Sequence, residues 1–433
     1  MYILLAIIFL FIERGVLDIA VSANVLGIFS PYTLILNPNP ILWWPSMFAL
    51  ILVAVCLPRV RLQPSSLIVW LFVAILYVPL TSIYWLTNGS AEWLWINTGF
   101  WVGVNVLLRM RLPRIKIHGA DFPVWILYLL ISALIIVIAV TAYRAGTLSF
   151  NIGLGSSYDI RNKYYGLGVS GIAYLTNALG LVVIPLVTLR GLEKRSFTVF
   201  LYGLVLAAFL YSFAGQKGYL FAPILALGFF FLDGRRARYL ILTAGVAVLL
   251  TASWLVYLVS GSVWPIGLVM NRALVLPAVI SFYYFDYFSK VPPLLLSHGT
   301  LGALFETQTT LAPAYIIGKH YFHDVHNDAN TGLIADAYMN FGIVGVAVTA
   351  VLFCLLLVFL DGYYIRFKPA YFYGLFAMPV LFMINGPLPT VVLTGGLAFA
   401  LIIAWIMAKH FERVEKPQLI PNRRNAGQVG PHV

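Results

Sequence analysis

Residues 239–259 read YLILTAGVAVLLTASWLVYLV, twenty-one consecutive positions without a charged side chain. A helix that crosses the hydrocarbon core of a bilayer needs about 20 predominantly apolar residues. The strands of an outer-membrane barrel would instead alternate apolar and polar residues, which this stretch does not do. It therefore predicts a transmembrane α-helix.

The same apolar character extends over most of the chain. Of the 433 residues, 61% are hydrophobic and 10% are charged, whereas a soluble protein carries about 25% charged residues. This composition excludes a water-soluble enzyme, a disordered protein and a coiled coil. The predicted spans lie within 1–36 and at 41–57, 67–86, 92–108, 122–142, 169–189, 197–213, 218–232, 239–259, 331–360, 370–385 and 391–408.

These spans predict an all-α polytopic membrane protein with about 12 transmembrane helices. Residues 1–408 form its transmembrane domain, and the polar residues 409–433 are expected to be a disordered cytoplasmic tail. The first span is the least regular, because its apolar start is short and meets Glu13 and Arg14.

The 27 Lys and Arg residues indicate an orientation. If the N-terminus lies inside and the spans alternate, most of these residues fall on the inner side, as the positive-inside rule requires. Both termini are then cytoplasmic. The net charge of +12 belongs to the inner loops in this interpretation, so it does not indicate a nucleic-acid partner.

This topology leaves two long outward loops, at 143–168 and 260–330, which we predict to form the active-site face. The second loop is far longer than a typical connection. We expect it to fold on the membrane surface, with amphipathic helices around 265–290 and 300–317.

Basic residues are depleted on the outer side of a membrane protein, so those that remain there suggest a function. Arg161 and Lys163 lie in the first outward loop, Lys217 in a Gly-flanked turn between two spans, and Arg272 in the second loop. Such side chains beside helix N-termini bind phosphate groups. The four residues are therefore candidates for a diphosphate site at the outer leaflet. The alternative is that they extend toward lipid headgroups.

Three histidines follow at positions 320, 323 and 326. Their spacing does not converge on one point of a helix as an i, i+4 pair does, and the HExxH pattern is absent. We therefore predict no metal. A histidine titrates near neutral pH and can act as an acid or a base at the membrane surface. The alternative is that these are solvated loop histidines.

Asp336 is the one acid that lies inside a clearly predicted span, if that helix begins near Thr331. Ionisable residues within spans are costly and usually face a polar cavity. Asn340 is four residues further on and shares its helix face. Asp336 is thus a candidate base, or it orients a histidine or arginine. The alternative is a structural ion pair between helices.

Residues 327–345, NDANTGLIADAYMNFGIVG, follow the long outward loop. This segment resembles the junction between the late loop and the next helix in Wzy-type O-antigen polymerases. The turn Gly-Gln-Lys-Gly at 215–218 is similar to one where such proteins often carry Gly-Ser-Arg, and Arg272 matches an arginine in their large loop. Lys217 keeps the charge of the usual arginine but not its bidentate geometry.

The resemblance implies a metal-independent glycosyltransferase without a cofactor. Such enzymes join oligosaccharide repeats linked to undecaprenyl diphosphate, at the periplasmic face of the bacterial inner membrane, into O-antigen or a similar polysaccharide. They move the growing chain from its lipid diphosphate to a sugar hydroxyl of a new repeat. The implied partners are this lipid-linked substrate, the bilayer, a flippase and a chain-length regulator.

The residues fit this chemistry in three roles. The basic residues stabilise the diphosphate leaving group, and His326 or Asp336 removes the proton of the acceptor hydroxyl. Asn330, Asn340 and the Tyr-rich loop contact the sugars. In this scheme Arg161, Lys217 and Arg272 bind the diphosphate, and Lys163 is a further substrate-binding candidate.

Two other functions remain open. A related ligase would move the polymer to lipid A core and would differ only in its acceptor. A flippase of lipid-linked oligosaccharides would need a polar path through the bilayer. Apart from the first segment, the predicted spans carry almost no charge, and the polar residues gather at the outer face. This distribution favours surface chemistry over transport.

Overall fold

The computed structural model describes residues 1–23, 34–58, 63–110, 119–120, 122–148, 157–169, 171–298, 302 and 311–412. Within these ranges every regular element is helical, and only an isolated bridge pairs Phe367 with Glu412. The all-α prediction is therefore confirmed for the described part. Most of the tail predicted to be disordered, and most of the surface helix predicted at 300–317, lie outside the described residues.

The helices are numbered here in chain order. Their bounds are α1 Tyr2–Ser22, α2 Pro40–Cys56, α3 Pro64–Leu86, α4 Ala91–Arg109, α5 Val124–Arg144, α6 Ser157–Gly166, α7 Ile172–Glu193, α8 Phe197–Ala214, α9 Lys217–Leu232, α10 Arg238–Ser260, α11 Ile266–Phe288, α12 Pro313–Phe322, α13 Leu333–Arg366, α14 Pro369–Ile384, α15 Leu388–Leu393, α16 Leu397–Ile406 and α17 Ala408–Phe411.

Six of the described helices are long and apolar enough to cross a membrane, namely α3, α7, α8, α10, α11 and α13. Five shorter apolar stretches accompany them, in α2, α5, α9, α14 and α16. These helices indicate a membrane-embedded protein. The count of twelve spans remains a prediction.

Local sequence explains where many of these helices begin and end. Proline occupies the first position of α2, α3, α12 and α14, where its missing N–H is not needed. The Ser90 hydroxyl accepts a hydrogen bond from Trp93 N–H at the start of α4. Gly215 and Gly261 end α8 and α10 with a φ of +68°, a conformation that glycine adopts without strain.

The described residues of the region predicted as one long outward loop, 260–330, include two helices. The first, α11, is among the six that are long and apolar enough to span a membrane, although it is the least apolar of them. Its polar residues Asn271 and Arg272 interrupt the apolar run, which explains why the sequence pattern favours a surface helix. The second, α12, falls partly within the segment predicted at 300–317.

The irregular first span is one continuous helix. Glu13 and Arg14 are both fully buried in α1, which packs mainly against α10 and α3. The Arg14 side chain forms an ion pair of 3.3 Å with Asp18 and donates a 2.7 Å hydrogen bond to Ser46 on α2. The charges that make this span look weak in the sequence are thus part of its packing.

The longest helix, α13, is broken near its start. Phe341 and Gly342 have non-helical backbone angles, and Gly342 has φ +60° and ψ −150°. The kink separates a short segment at 333–340 from the long apolar remainder. Asp336 is not the only acid of this helix, because Asp361 is buried near its other end and accepts a 2.6 Å hydrogen bond from the Ser65 hydroxyl.

Candidate functional site

A cavity of about 880 Å³, called here the larger cavity, lies where the ends of several helices meet. Its walls come from α6, the start of α9, the first half of α11 and the segment that precedes α13. The sequence alternation assigns all of these ends to the outer side. Five of the eight candidate residues line it: Arg161, Lys217, Arg272, His326 and Asn330.

The three basic residues come from three separate elements. Arg161 is half-buried on α6, and Lys217 is the first residue of α9, directly after the turn at Gly215 and Gln216. Arg272 is exposed on the first part of α11. Because each cation is held by its own helix, the three charges converge on one space rather than lying along one surface.

The first part of α11, Ile266–Val275, is a π-helix. A π-helix has more residues per turn than an α-helix. The residues of α11 that line the larger cavity accordingly recur at intervals of four or five positions, as at Gly267, Asn271 and Leu276. Asn271 and Arg272 both lie on the cavity wall.

A buried chain of hydrogen bonds lies behind Arg161 and Lys217. The Tyr165 and Tyr219 hydroxyl oxygens are 3.1 Å apart, and Tyr219 donates a 2.8 Å hydrogen bond to Asn177 Oδ1. The Asn177 amide in turn donates to the carbonyl of Thr394 at 2.9 Å. Burial raises the pKa of Tyr165, so its phenol stays protonated. These hydrogen bonds connect α6, α7 and α9 beneath the two cations.

The segment before α13 forms the opposite wall. The Asp324 carboxylate accepts a 2.8 Å hydrogen bond from the backbone N–H of His326, which is an Asx turn. Tyr284 on α11 donates a 3.1 Å hydrogen bond to the carbonyl of the buried Ala329. The exposed His326 therefore projects from a segment that is fixed at both sides.

A second cavity of about 300 Å³, called here the smaller cavity, adjoins the larger one. Asp336 and Asn340 line it. Asp328, Asn330 and Asn385 line both cavities and form a shared wall between them. The two candidate bases are thus divided, with His326 at the larger cavity and Asp336 at the smaller one.

The Asn340 side chain forms hydrogen bonds with the backbone of the protein. Its Oδ1 accepts a 2.8 Å hydrogen bond from the N–H of Leu296, and its Nδ2 donates a 3.0 Å hydrogen bond to the carbonyl of Asp336. The N–H groups of Leu294 and Leu295 bond to the carbonyls of Met339 and Asn340. Asn340 therefore anchors the 294–296 loop to the kinked start of α13.

Lys163 is the one candidate that lines neither cavity. It lies two positions after Arg161 on α6, and residues two apart on a helix do not share a face. His320 also lies apart, with its ring 5.4 Å from that of Tyr287. Sequence reasoning missed Asp328, Asn385 and Asn271. For Asn385 a signal existed, because it adjoins the tight Gly-Pro link before the last predicted span.

The larger cavity combines cations from three helices on one side with carboxylates, an imidazole and amides of the 324–330 segment on the other. Such a space suits a ligand that carries both an anionic group and hydroxyl groups. Among the described residues, no three His, Cys, Asp or Glu side chains come together as a metal site. No protein-family model, curated protein or solved structure matches the chain.

Proposed function

We propose that this protein is a glycosyltransferase that polymerises oligosaccharide repeats linked to undecaprenyl diphosphate into a surface polysaccharide. The observation that carries the proposal is the convergence of Arg161, Lys217 and Arg272 on one cavity that His326 and Asn330 also line. A diphosphate needs several cations from different directions, and the hydroxyl-rich sugars beside it need amides and carboxylates. The resemblance of residues 327–345 to the O-antigen polymerases supports the same function.

The reaction assigns each part of the larger cavity a role. The hydroxyl oxygen of the acceptor repeat attacks the anomeric carbon of the growing chain and forms the new glycosidic bond. The bond between that carbon and the diphosphate oxygen breaks, and the diphosphate leaves with the electron pair. Arg161, Lys217 and Arg272 stabilise the charge that develops on this leaving group. The products are a chain longer by one repeat and undecaprenyl diphosphate.

The proton of the acceptor hydroxyl goes to a base, and we assign this role to His326. His326 shares the larger cavity with the three cations, whereas Asp336 lies in the adjoining one. A base must lie within hydrogen-bond reach of the proton that it removes. Asp336 then acts on the acceptor sugar instead.

The proposal places the larger cavity on the periplasmic side of the bacterial inner membrane, with both termini in the cytoplasm. The excess of Lys and Arg in the predicted inner loops supports this orientation. It also brings the cavity to the leaflet where a flippase would deliver the lipid-linked repeats.

The test uses the purified full-length protein in nanodiscs with a mixed pool of bacterial undecaprenyl-diphosphate oligosaccharides, without nucleotide sugars. The expected product is a ladder of multiples on a gel. Arg272→Ala and Lys217→Ala should each lower the rate by at least about 100-fold, as loss of a transition-state donor does. Lys163→Ala is the matched control and should keep the activity, because Lys163 lines neither cavity.

Three results would contradict the proposal. Normal ladders from both Arg272→Ala and Lys217→Ala would remove the diphosphate site. Transfer of a single chain to added lipid A core without a ladder would make the protein a ligase. Movement of the lipids across a vesicle bilayer without any new glycosidic bond would make it a transporter.

A further inference from the structure

The two cavities differ in charge. The described residues around the larger cavity include three Lys or Arg side chains, whereas those around the smaller cavity include none. The smaller cavity instead carries two carboxylates, Asp328 and the half-buried Asp336. An anion that entered it would meet acidic side chains and no Lys or Arg among the described lining residues, and burying a charge without a partner is costly.

The remaining walls of the smaller cavity suit an uncharged polar ligand. They supply amide and hydroxyl groups from Asn330, Thr331, Asn385 and Thr390. They also supply apolar surfaces, among them the ring of Phe382. A sugar ring presents hydroxyl groups at its edge and C–H groups on its faces, so it can use both kinds of surface. The volume of about 300 Å³ is at the lower end for small-molecule sites.

We propose that the smaller cavity binds the terminal sugar of the acceptor repeat and selects for a sugar without an acid group. The inference rests on the proposed function and deepens it by naming the acceptor class. The growing chain and its diphosphate then occupy the larger cavity. The acceptor hydroxyl reaches the donor across the shared wall of Asp328, Asn330 and Asn385.

The position of Asp336 is fixed by its surroundings. Asn340 bonds to the carbonyl of Asp336 and to the N–H of Leu296. Leu296 itself lines the smaller cavity. The carboxylate therefore stands on a preorganised wall, as a selective site requires. Asn340 is a positioning residue in this scheme, whereas the sequence pattern predicts that it binds substrate.

The first test measures binding without turnover. Thr390→Cys in the smaller cavity and Asn271→Cys in the larger one are made in a background with Cys56→Ala and Cys354→Ala. The probes are inorganic pyrophosphate and two fractions of the lipid-linked oligosaccharide pool, a neutral one and a uronic one, which are separated by anion exchange and then assigned by identifying their terminal sugar. Pyrophosphate should slow maleimide labelling at position 271 only. The neutral fraction should slow labelling at position 390 at least about tenfold more than the uronic fraction does.

The second test measures selectivity during polymerisation. The wild-type protein should extend neutral acceptors at least about tenfold faster than uronic acceptors. Asp336→Asn keeps the size of the side chain but removes its acid group, so this ratio should fall toward one. The matched control is Asp159→Asn on α6, which lines neither cavity and should keep the ratio.

The outcomes separate this inference from the proposed function. A normal ladder with equal use of both fractions, or protection of position 390 by pyrophosphate, would overturn the acceptor cavity and leave the polymerase intact. Protection of position 390 by the neutral fraction in a protein that forms no ladder would overturn polymerisation and keep a sugar site. Asp336→Asn with unchanged selectivity would contradict the role of its carboxylate.

Discussion

At the residue scale, the buried phenol of Tyr219 connects the two helices that carry Arg161 and Lys217. It contacts Tyr165, on the helix of Arg161, and it lies two positions after Lys217. Its ring also packs so closely on Gly180 that an added Cβ there would come within 2.2 Å of it. Placement of these charges therefore depends on a residue that never reaches the cavity.

Tyr219→Phe should lower both stability and turnover. The change leaves the Asn177 carbonyl and the Tyr165 hydroxyl without their phenol partner, and a buried polar group left unsatisfied costs about 1–3 kcal/mol. A thermal melt in detergent should show a lower Tm, and the rate of ladder formation should fall. Tyr202→Phe, at an exposed position of α8, should change neither value. An unaltered Tm in Tyr219→Phe would show that the hydrogen-bond chain contributes little.

The sequence predicts some residues of the site and not others, for reasons of geometry. Helix ends on one side of a bundle can be inferred from span alternation, which brings Arg161, Lys217 and Arg272 into one set. The orientation of a side chain on a short polar helix cannot be inferred in that way, so Lys163 is grouped with Arg161 although the two point apart. Asp328 lies in a loop, and the sequence does not indicate that it forms part of the wall shared by the two cavities.

At the element scale, the kink in α13 depends on one glycine. Gly342 has φ +60° and ψ −150°, a backbone region that is essentially limited to glycine. An added Cβ at Gly342 would meet no atom within 4 Å. Any effect of substitution therefore comes from backbone strain rather than from a clash.

Gly342→Ala should destabilise the start of α13 by about 1–3 kcal/mol and reduce polymerisation, because the segment at 333–340 carries Asp336. Hydrogen exchange should increase at Leu294 and Leu295, whose N–H groups bond to Met339 and Asn340. Gly245→Ala in the middle of α10 is the control. It has ordinary backbone angles and the same open space, so its Tm should stay level or rise. An equal Tm for both variants would contradict the backbone strain expected at position 342.

The pattern of apolar residues explains which helices can be predicted from the sequence and which of their features cannot. Long uncharged runs such as α10 are evident from the sequence, because burial in lipid demands them. The kink at Phe341 and Gly342 is not evident, since the span predicted at 331–360 contains no proline and passes through these positions without a break. The bounds of α11 agree with the helix predicted around 265–290, but its capacity to span a membrane is not evident, because Asn271 and Arg272 make its pattern look amphipathic.

At the scale of the whole molecule, the proposed orientation can be checked by surface labelling. Asn162→Cys, at the larger cavity, should react with an impermeant maleimide added outside intact cells. Arg235→Cys, in the turn before α10, should react only after the cells are opened. The native cysteines are removed first in both variants. The reverse pattern would place the larger cavity on the cytoplasmic side and overturn the periplasmic reaction.

Glu13 and Arg14 of α1 are fully buried and Asp18 is largely buried, which has a consequence for membrane insertion. An arginine or aspartate at the centre of a lone helix costs about 2.5–3.5 kcal/mol during insertion by the translocon. Beyond their own ion pair, Arg14 and Asp18 bond to Ser46 and to the Trp85 indole, which are synthesised after α1. We therefore expect α1 to be held stably in the membrane only once α2 and α3 are made, so a nascent chain cut before Ser46 should be extracted from membranes by alkali.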